Sequence, residues 1–303
     1  MPGPRGYATL RSVARRPRVL VFVKRAVRPR LAPGHNGRGA EGEDSWAQRL
    51  RDAHETHERA LGLLHRILDD LDVSPRYVSL TEAVDASGFD LVVALGGDGT
   101  VLHASHQIGL TPVLAINSAP EHSVGFLTAT TIDHAPVMIR AALRGELPSA
   151  CLHRMAVDIE GRRVYGRVLN DVLYSHECPA STARYVLRLG PVEEEQMSSG
   201  IWIGTAAGST AAIRSAGGRV MPPGSRRLQF VVREPYRRNG GRCRLGAGFV
   251  PPGGRLEVRN LTDAARLYVD GPHVMLRVRL GETVELSLSD EPLTLLGFRR
   301  ART

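Results

Sequence analysis

The stretch from Phe89 to His106, FDLVVALGGDGTVLHASH, constrains the fold more than any other part of the chain. Asp90 to Leu95 reads as a short buried strand, Gly96, Gly97 and Gly99 let the chain turn sharply, and Val101 to Ile108 reads as a helix. Free backbone N–H groups at such a helix start favour an anionic ligand, and the glycines let that ligand come close. Asp98 is the odd member, because an aspartate there repels bare phosphate. Its presence makes sense if it accepts a proton from an attacking hydroxyl, or if it meets phosphate through a divalent metal. Both readings imply phosphoryl transfer. The competing reading is that Asp98 only caps the helix in a glycine-rich turn.

The rest of the first half alternates apolar strands with helical stretches, which predicts a parallel sheet covered by helices. Strands are expected at Arg18–Lys24, Arg76–Ser79, Asp90–Leu95 and Pro112–Asn117. Leu61, Leu64, Leu68 and Leu71 make the apolar stripe of an amphipathic helix, on which His54 and His57 are read as solvated. The Pro, Gly and Arg-rich segment Arg28–Asp44 reads as a surface loop. From about Cys151 the texture changes to short strands separated by turn signals. They are expected at Met155–Ile159, Tyr165–Leu173, Tyr185–Leu189, Leu228–Arg233, Arg255–Arg259, Arg266–Val269, Val274–Arg279 and Thr283–Leu288. A last strand, Leu293–Phe298, is expected to return to the first domain.

Composition narrows the function classes. The net charge of +9 and pI of 10.1 invite a nucleic-acid reading. The charge is spread out, however, and no zinc-finger, RNP or basic-helix pattern accompanies it, so no nucleic-acid partner is expected. Lys24 is the only lysine, which leaves no Walker-type GxxxxGK[ST]. No apolar run approaches the ~18 residues that span a bilayer, and no secretory signal opens the chain, so a cytoplasmic protein without membrane contact is expected. Cys151, Cys178 and Cys243 are widely spaced and read as reduced thiols.

Three further motifs follow the glycine loop. Asn170 and Asp171 interrupt the apolar run VYGRVLNDVLYS, and adjacent strand residues point to opposite faces, so at least one meets a site or a hydrogen-bond partner. Ser198–Gly218, SSGIWIGTAAGSTAAIRSAGG, is dense in small residues that let a ligand lie on the backbone, with Thr205, Ser209 and Thr210 offering hydroxyls. Val269, Asp270 and Gly271 lie between two strands, where a plain Asp-Gly hairpin turn is the competing reading.

In this order GGDGT, Asn-Asp, TAAGST with SAGG, and VDG together resemble the NAD kinase family, over roughly Arg18 to Phe298. NDVLYSHECPA, SSGIWIGTAAGSTAA and LQFVVREP look closest to its plant-type NADH kinase branch. The resemblance implies an α/β N-terminal domain with a Rossmann-like parallel sheet and a β-rich C-terminal domain, with the site in the crevice between them. The domain expectation is a tail over 1–16, an α/β domain over 17–145, a β-rich dinucleotide-binding domain over 146–288 and a C-terminal segment over 289–303.

Carried over by motif, the resemblance implies that Asp98 takes the proton of the adenosine ribose 2′-hydroxyl of NAD⁺ or NADH as it attacks the γ-phosphorus of ATP. Gly96, Gly97, Gly99 and Thr100 match the signature loop, and Gly125, Phe126 and Leu127 match GFL, whose Phe packs near adenine. Asn117, Asn170, Asp171, Thr205, Ala206, Gly208, Ser209, Thr210 and Asp270 complete the implied nucleotide contacts. Mg²⁺ is expected to arrive with ATP, since no dedicated carboxylate cage is visible, and no metal ligand is assigned. A homo-oligomer, dimer or tetramer, is implied. Departures from the family pattern are Ala212 where a tyrosine is usual, Asp171 where Glu is frequent, and a longer link Asn117–Gly125 carrying Pro120, Glu121 and His122. The alternatives weighed are a lipid kinase with a similar GGDGT loop and a non-catalytic dinucleotide sensor.

Overall fold

The computed structural model describes residues 15–24, 41–236 and 243–298. They form two compact units, one running to Ala150 and resuming at Thr294, the other Cys151–Leu293.

The first unit contains β1 (Arg18–Val23), α1 (Glu41–Asp70), β2 (Ser74–Ser79), β3 (Leu91–Leu95), α2 (Asp98–Ser105), β4 (Val113–Asn117), β5 (Thr130–Thr131), α3 (Ala135–Leu143) and β6 (Ser149–Leu152). β1 pairs in parallel with β2 and β3, β3 with β4, and β4 with β5. Every residue of LVVAL in β3 and VLAIN in β4 is buried. A run apolar on both faces needs cover on both, and that condition makes these the central strands. Val19, Val21, Val93 and Ile116 pack with Ala60, Leu64 and Leu68 of α1 and Ile139 of α3. α1 begins at Glu41, inside the segment expected as a loop, and residues 28–40 of that loop lie outside the described residues, as do residues 1–14 of the expected tail.

The second unit runs β7 (Met155–Ile159), β8 (Arg162–Val168), β9 (Asp171–His176), β10 (Ala183–Leu189), β11 (Val192–Ser198), β12 (Gly200–Gly204), α4 (Ala212–Ser215), β13 (Leu228–Arg233), β14 (Ala247–Val250), β15 (Arg255–Asn260), β16 (Ala265–Val269), β17 (Val274–Val278) and β18 (Thr283–Leu288). The strands make two six-stranded sheets, β11-β10-β15-β18-β7-β8 and β14-β13-β12-β9-β16-β17. Alternate residues point inward, as in Ala265, Leu267 and Val269 of β16, and the two inner faces share one core around Tyr174, Tyr185, Phe230 and Leu256. The buried Tyr174 hydroxyl donates to Asn260 Oδ1 at 2.7 Å, so this aromatic core carries satisfied polar groups.

The last strand, β19 (Leu293–Leu296), joins the first unit's sheet beside β4, with Leu295 opposite Val113. The full order there is β2-β1-β3-β4-β19-β6. The fold is therefore a parallel α/β sheet followed by a β-rich unit.

One expected strand is two. The apolar pattern predicts Tyr165–Leu173 as a single strand, yet pairing stops after Val168 and resumes at Asp171. The N–H groups of Leu169, Asn170 and Asp171 all turn to the Asp270 carboxylate, and that local demand overrides β propensity. β11, VEEEQMS, was not among the expected strands; its Gln196 and Ser198 are buried against the Tyr185 hydroxyl.

Candidate functional site

In the first unit the site is built where β3 hands over to α2. Gly97 is the helix N-cap and Asp98 its first residue. Gly96 holds φ +154°, and a Cβ there would lie 2.1 Å from Thr100 Oγ1, so only glycine permits this turn. Asp98 does not cap the helix. Its Oδ2 accepts the N–H of Phe126 at 2.9 Å and its Oδ1 that of Leu127 at 2.7 Å. The carboxylate is thereby oriented by one bond on each oxygen, and each oxygen keeps a lone pair for a further donor. Phe126 is half-buried, edge-on to Phe298 with centroids 6.3 Å apart. Asn117, the last residue of β4, is buried and bonds the link that follows it: Oδ1 accepts Ala119 N–H at 3.1 Å and Nδ2 donates to the Ser123 carbonyl at 3.2 Å. Within that link Pro120, Glu121 and His122 form an exposed turn.

In the second unit Asp270 opens the β16–β17 hairpin with φ +49°, followed by Gly271 at φ +108°. The hairpin-turn reading of Asp-Gly is thus correct, and the carboxylate does more. Oδ2 accepts Leu169 N–H at 2.8 Å, and Oδ1 accepts Asn170 N–H at 2.7 Å and Asp171 N–H at 3.0 Å. Asp270 therefore acts as a strut that shapes the Asn170–Asp171 turn. Asn170 is left half-buried, while Asp171 is 6 % exposed. Burial, and then the neighbouring Asp270 charge, push the Asp171 carboxyl up to about 7.

The small-residue segment holds the same turn from the other side. Thr205 N–H donates to the Asn170 carbonyl at 2.9 Å, its hydroxyl donates to the Leu169 carbonyl, and Gly208 N–H reaches that hydroxyl at 3.3 Å. A Cβ on Gly208 would lie 2.1 Å from the Asn170 carbonyl oxygen. Ser209 donates its proton to the Ala206 carbonyl and accepts Met221 N–H at 2.9 Å. The hydroxyl protons of Thr205 and Ser209 are thus committed inside the fold, and Thr210 is the half-buried hydroxyl of the three. A cleft of about 350 Å³ opens on this unit, lined by Leu173, Trp202, Tyr268 and Arg233; it borders Ser199 and Trp202 of the small-residue segment and Gly271, and none of the residues carried over as nucleotide contacts lines it.

The comparisons with known proteins agree with the motifs. Residues 39–147 match the model of the ATP-NAD kinase N-terminal domain. The chain is 37% identical over 226 residues to a probable NADH kinase of Oryza sativa subsp. japonica, covering 67% of this chain and 69% of the relative. It is 34% identical over 270 residues to an NADH kinase of Arabidopsis thaliana, covering 81% and 84%. The chain belongs to the NAD kinase family. It is an enzyme of the NAD(H) kinase class, and these two relatives place it with the plant-type NADH kinases. The fold is shared with an NAD kinase from Archaeoglobus fulgidus solved in complex with ATP, at TM-score 0.66 and 21% identity over 93% of this chain and 94% of that one. A yeast NADH kinase complexed with NADH gives TM-score 0.66 at 14% identity, covering 95% and 84%.

Two site features of this NAD kinase escaped the sequence reading. The supporting bonds to Asp98 and Asp270 come from backbone N–H groups, which leave no mark in side-chain identity. His57 is 6 % exposed on α1, not solvated. Its spacing carried the signal, because it stands seven residues before Leu64 and eleven before Leu68, on the buried stripe.

Proposed function

We propose that this NAD kinase transfers the γ-phosphoryl group of ATP to the adenosine ribose 2′-hydroxyl of NAD⁺ or NADH, with Asp98 as the proton acceptor. The observation that carries this is the Asp98 carboxylate. It stands at the start of α2, does not cap that helix, and is oriented through two N–H bonds that leave acceptor capacity on both oxygens. A secondary hydroxyl is a weak nucleophile near neutrality, so a positioned base is worth ~10²–10⁴ in rate. Gly96, Gly97, Gly99 and Thr100 let phosphate approach the helix start, with Asn117 and Phe126 beside it. Asn170 and Asp171 recognise the dinucleotide acceptor, on a turn held by Asp270, Thr205, Ala206, Gly208 and Ser209, with Thr210 adjoining.

Among the described residues no three His, Cys, Asp or Glu side chains gather to hold a metal ion. A Mg²⁺ ion carried in on ATP would neutralise charge on the phosphate oxygens, and no side chain of this chain is assigned to it.

The test is NADP⁺ and NADPH formation from Mg-ATP with NAD⁺ or NADH, for the wild type and Asp98→Asn. An asparagine has one acceptor oxygen for two N–H donors, so the variant also loosens the Phe126–Leu127 turn. Dinucleotide and ATP affinities are therefore measured alongside. The expected result is turnover lower by at least about 10² with affinities changed far less. Near wild-type turnover in Asp98→Asn removes Asp98 from the base role, and phosphate at another hydroxyl of the product overturns the 2′ assignment.

A further inference from the structure

The buried imidazole of His57 has no part in the chemistry above, yet it joins α1 to the chain just beyond β1 and just beyond β4, strands of the sheet whose β3 leads into Asp98. Its Nε2 lies 3.1 Å from the Lys24 carbonyl, just beyond β1. A carbonyl can only accept, so Nε2 carries the proton and Nδ1 offers a lone pair. Nδ1 lies 2.8 Å from Ser118 Oγ, so the Ser118 hydroxyl donates to it. Ser118 is 5 % exposed and directly follows β4. From there Asn117 bonds Ala119 N–H and the Ser123 carbonyl, and Phe126 and Leu127 deliver their N–H groups to Asp98.

We propose that His57 is a positioning residue for NAD(H) phosphorylation: as a neutral imidazole of fixed tautomer it anchors the link after β4, and so sets the turn that orients Asp98. Alone, the Ser118 bond would be a local pin. Continuous with the Asn117 bonds and the two N–H donors on Asp98, it makes the link a single strut from α1 to the reacting carboxylate. This inference rests on the assignment of Asp98 to the reacting site.

The surroundings keep the ring neutral. Burial is the largest influence and lowers its affinity for a proton, and the Lys24 and His54 charges act the same way. The Lys24 carbonyl and Glu58 oppose them, and the net shift is downward from 6.5. Protonation converts Nδ1 from acceptor to donor, takes the acceptor from the Ser118 hydroxyl, and places a charge in a buried site. The anchor is therefore secure near neutrality and fails in acid.

The experiment compares kcat and KM from about pH 5 to 8.5 for wild type, His57→Leu, His57→Gln and Ser118→Ala, with imidazole ¹⁵N shifts recorded on the wild type. His57→Leu fills the space without hydrogen bonds, and its kcat near pH 8 is expected to fall about tenfold or more, as misplacement of a reacting group does. Ser118→Ala, which keeps the Lys24 bond, falls less. His57→Gln has an amide that can donate and accept but cannot be protonated, so it recovers most of the loss and flattens the acid side of the kcat profile relative to wild type. A wild-type kcat in both His57→Leu and Ser118→Ala overturns the proposal, as does an Nδ1–H tautomer or an acid limb that His57→Gln leaves unchanged. If His57→Leu does not fold, the other two variants and the tautomer decide. These rates are read against wild type, so a failure of the Asp98 assignment shows separately as retained turnover in Asp98→Asn.

Discussion

Replacing Asp270 tests whether its carboxylate is the strut that creates the Asn170–Asp171 turn. Three backbone N–H groups converge on its two oxygens at 2.7 to 3.0 Å, and the residue sits at φ +49°. Asparagine tolerates that backbone but brings one acceptor oxygen and no charge. One N–H then faces an amide NH₂ and is left unsatisfied, costing ~1–3 kcal/mol, and the remaining bonds weaken by ~1 kcal/mol each. Against this, Asp270 helps to raise the Asp171 carboxyl to about 7, and removing its charge relieves that repulsion. The net expectation for Asp270→Asn is a loss of about 3 kcal/mol, and for Asp270→Ala about 5 kcal/mol, since alanine also resists positive φ.

The two carboxylates make the loss depend on pH. Near pH 8 Asp171 is ionised in the folded state, so relief of repulsion offsets part of the cost. Near pH 5 it is protonated and there is nothing to relieve. Chemical denaturation at both pH values is therefore expected to show a larger loss at pH 5. An Asp270→Asn variant within about 0.5 kcal/mol of wild type at both pH values, or a loss that grows toward pH 8, would refute this reasoning.

Asp171→Asn is expected to stabilise the protein near pH 8. The folded carboxyl stands at about 7 against an ordinary 3.8, so its favourable contribution is complete below about pH 4 and lost as pH rises through 7. The gain from removing it is at most about 4 kcal/mol near pH 8 and vanishes in acid, which denaturation over that range would show. Gly208→Ala places a Cβ 2.1 Å from the Asn170 carbonyl oxygen and 2.5 Å from its carbon, so backbone must move. Scanning calorimetry is expected to show a loss of about 3 kcal/mol, with calorimetric titration showing weakened NADH binding.

The strands with the least ambiguous composition were legible at once. LVVAL and VLAIN are apolar on both faces, and only a sheet covered on both sides accommodates them. The glycines before Asp98 were equally legible, because Gly96 has no substitute where a Cβ would meet Thr100 at 2.1 Å. The alternation ARLYV identified β16, whose inward residues meet the core. Where reading failed, competition between levels was the cause. Tyr165–Leu173 looks like one strand because its apolar pattern continues, and it is divided by a carboxylate about a hundred residues away, as in the bond from Asn170 to Asp270. His57 reads with His54 as a solvated helix-face histidine because the spacing does not form HExxH, although its spacing from Leu64 and Leu68 puts it on the buried stripe.

The sequence by itself determined the order of a parallel α/β unit and a β-rich unit, the family, and which carboxylates and glycines carry the motifs. These depend on hydrophobic period, on residues that have no substitute at a given φ, and on motif order along the chain. Only the tertiary structure decided how those carboxylates are held: Asp98 by the N–H groups of Phe126 and Leu127, and Asp270 by those of Leu169, Asn170 and Asp171. A backbone N–H is the same in almost every residue. Which carboxylate it meets is a matter of where the chain returns, and that is fixed by packing.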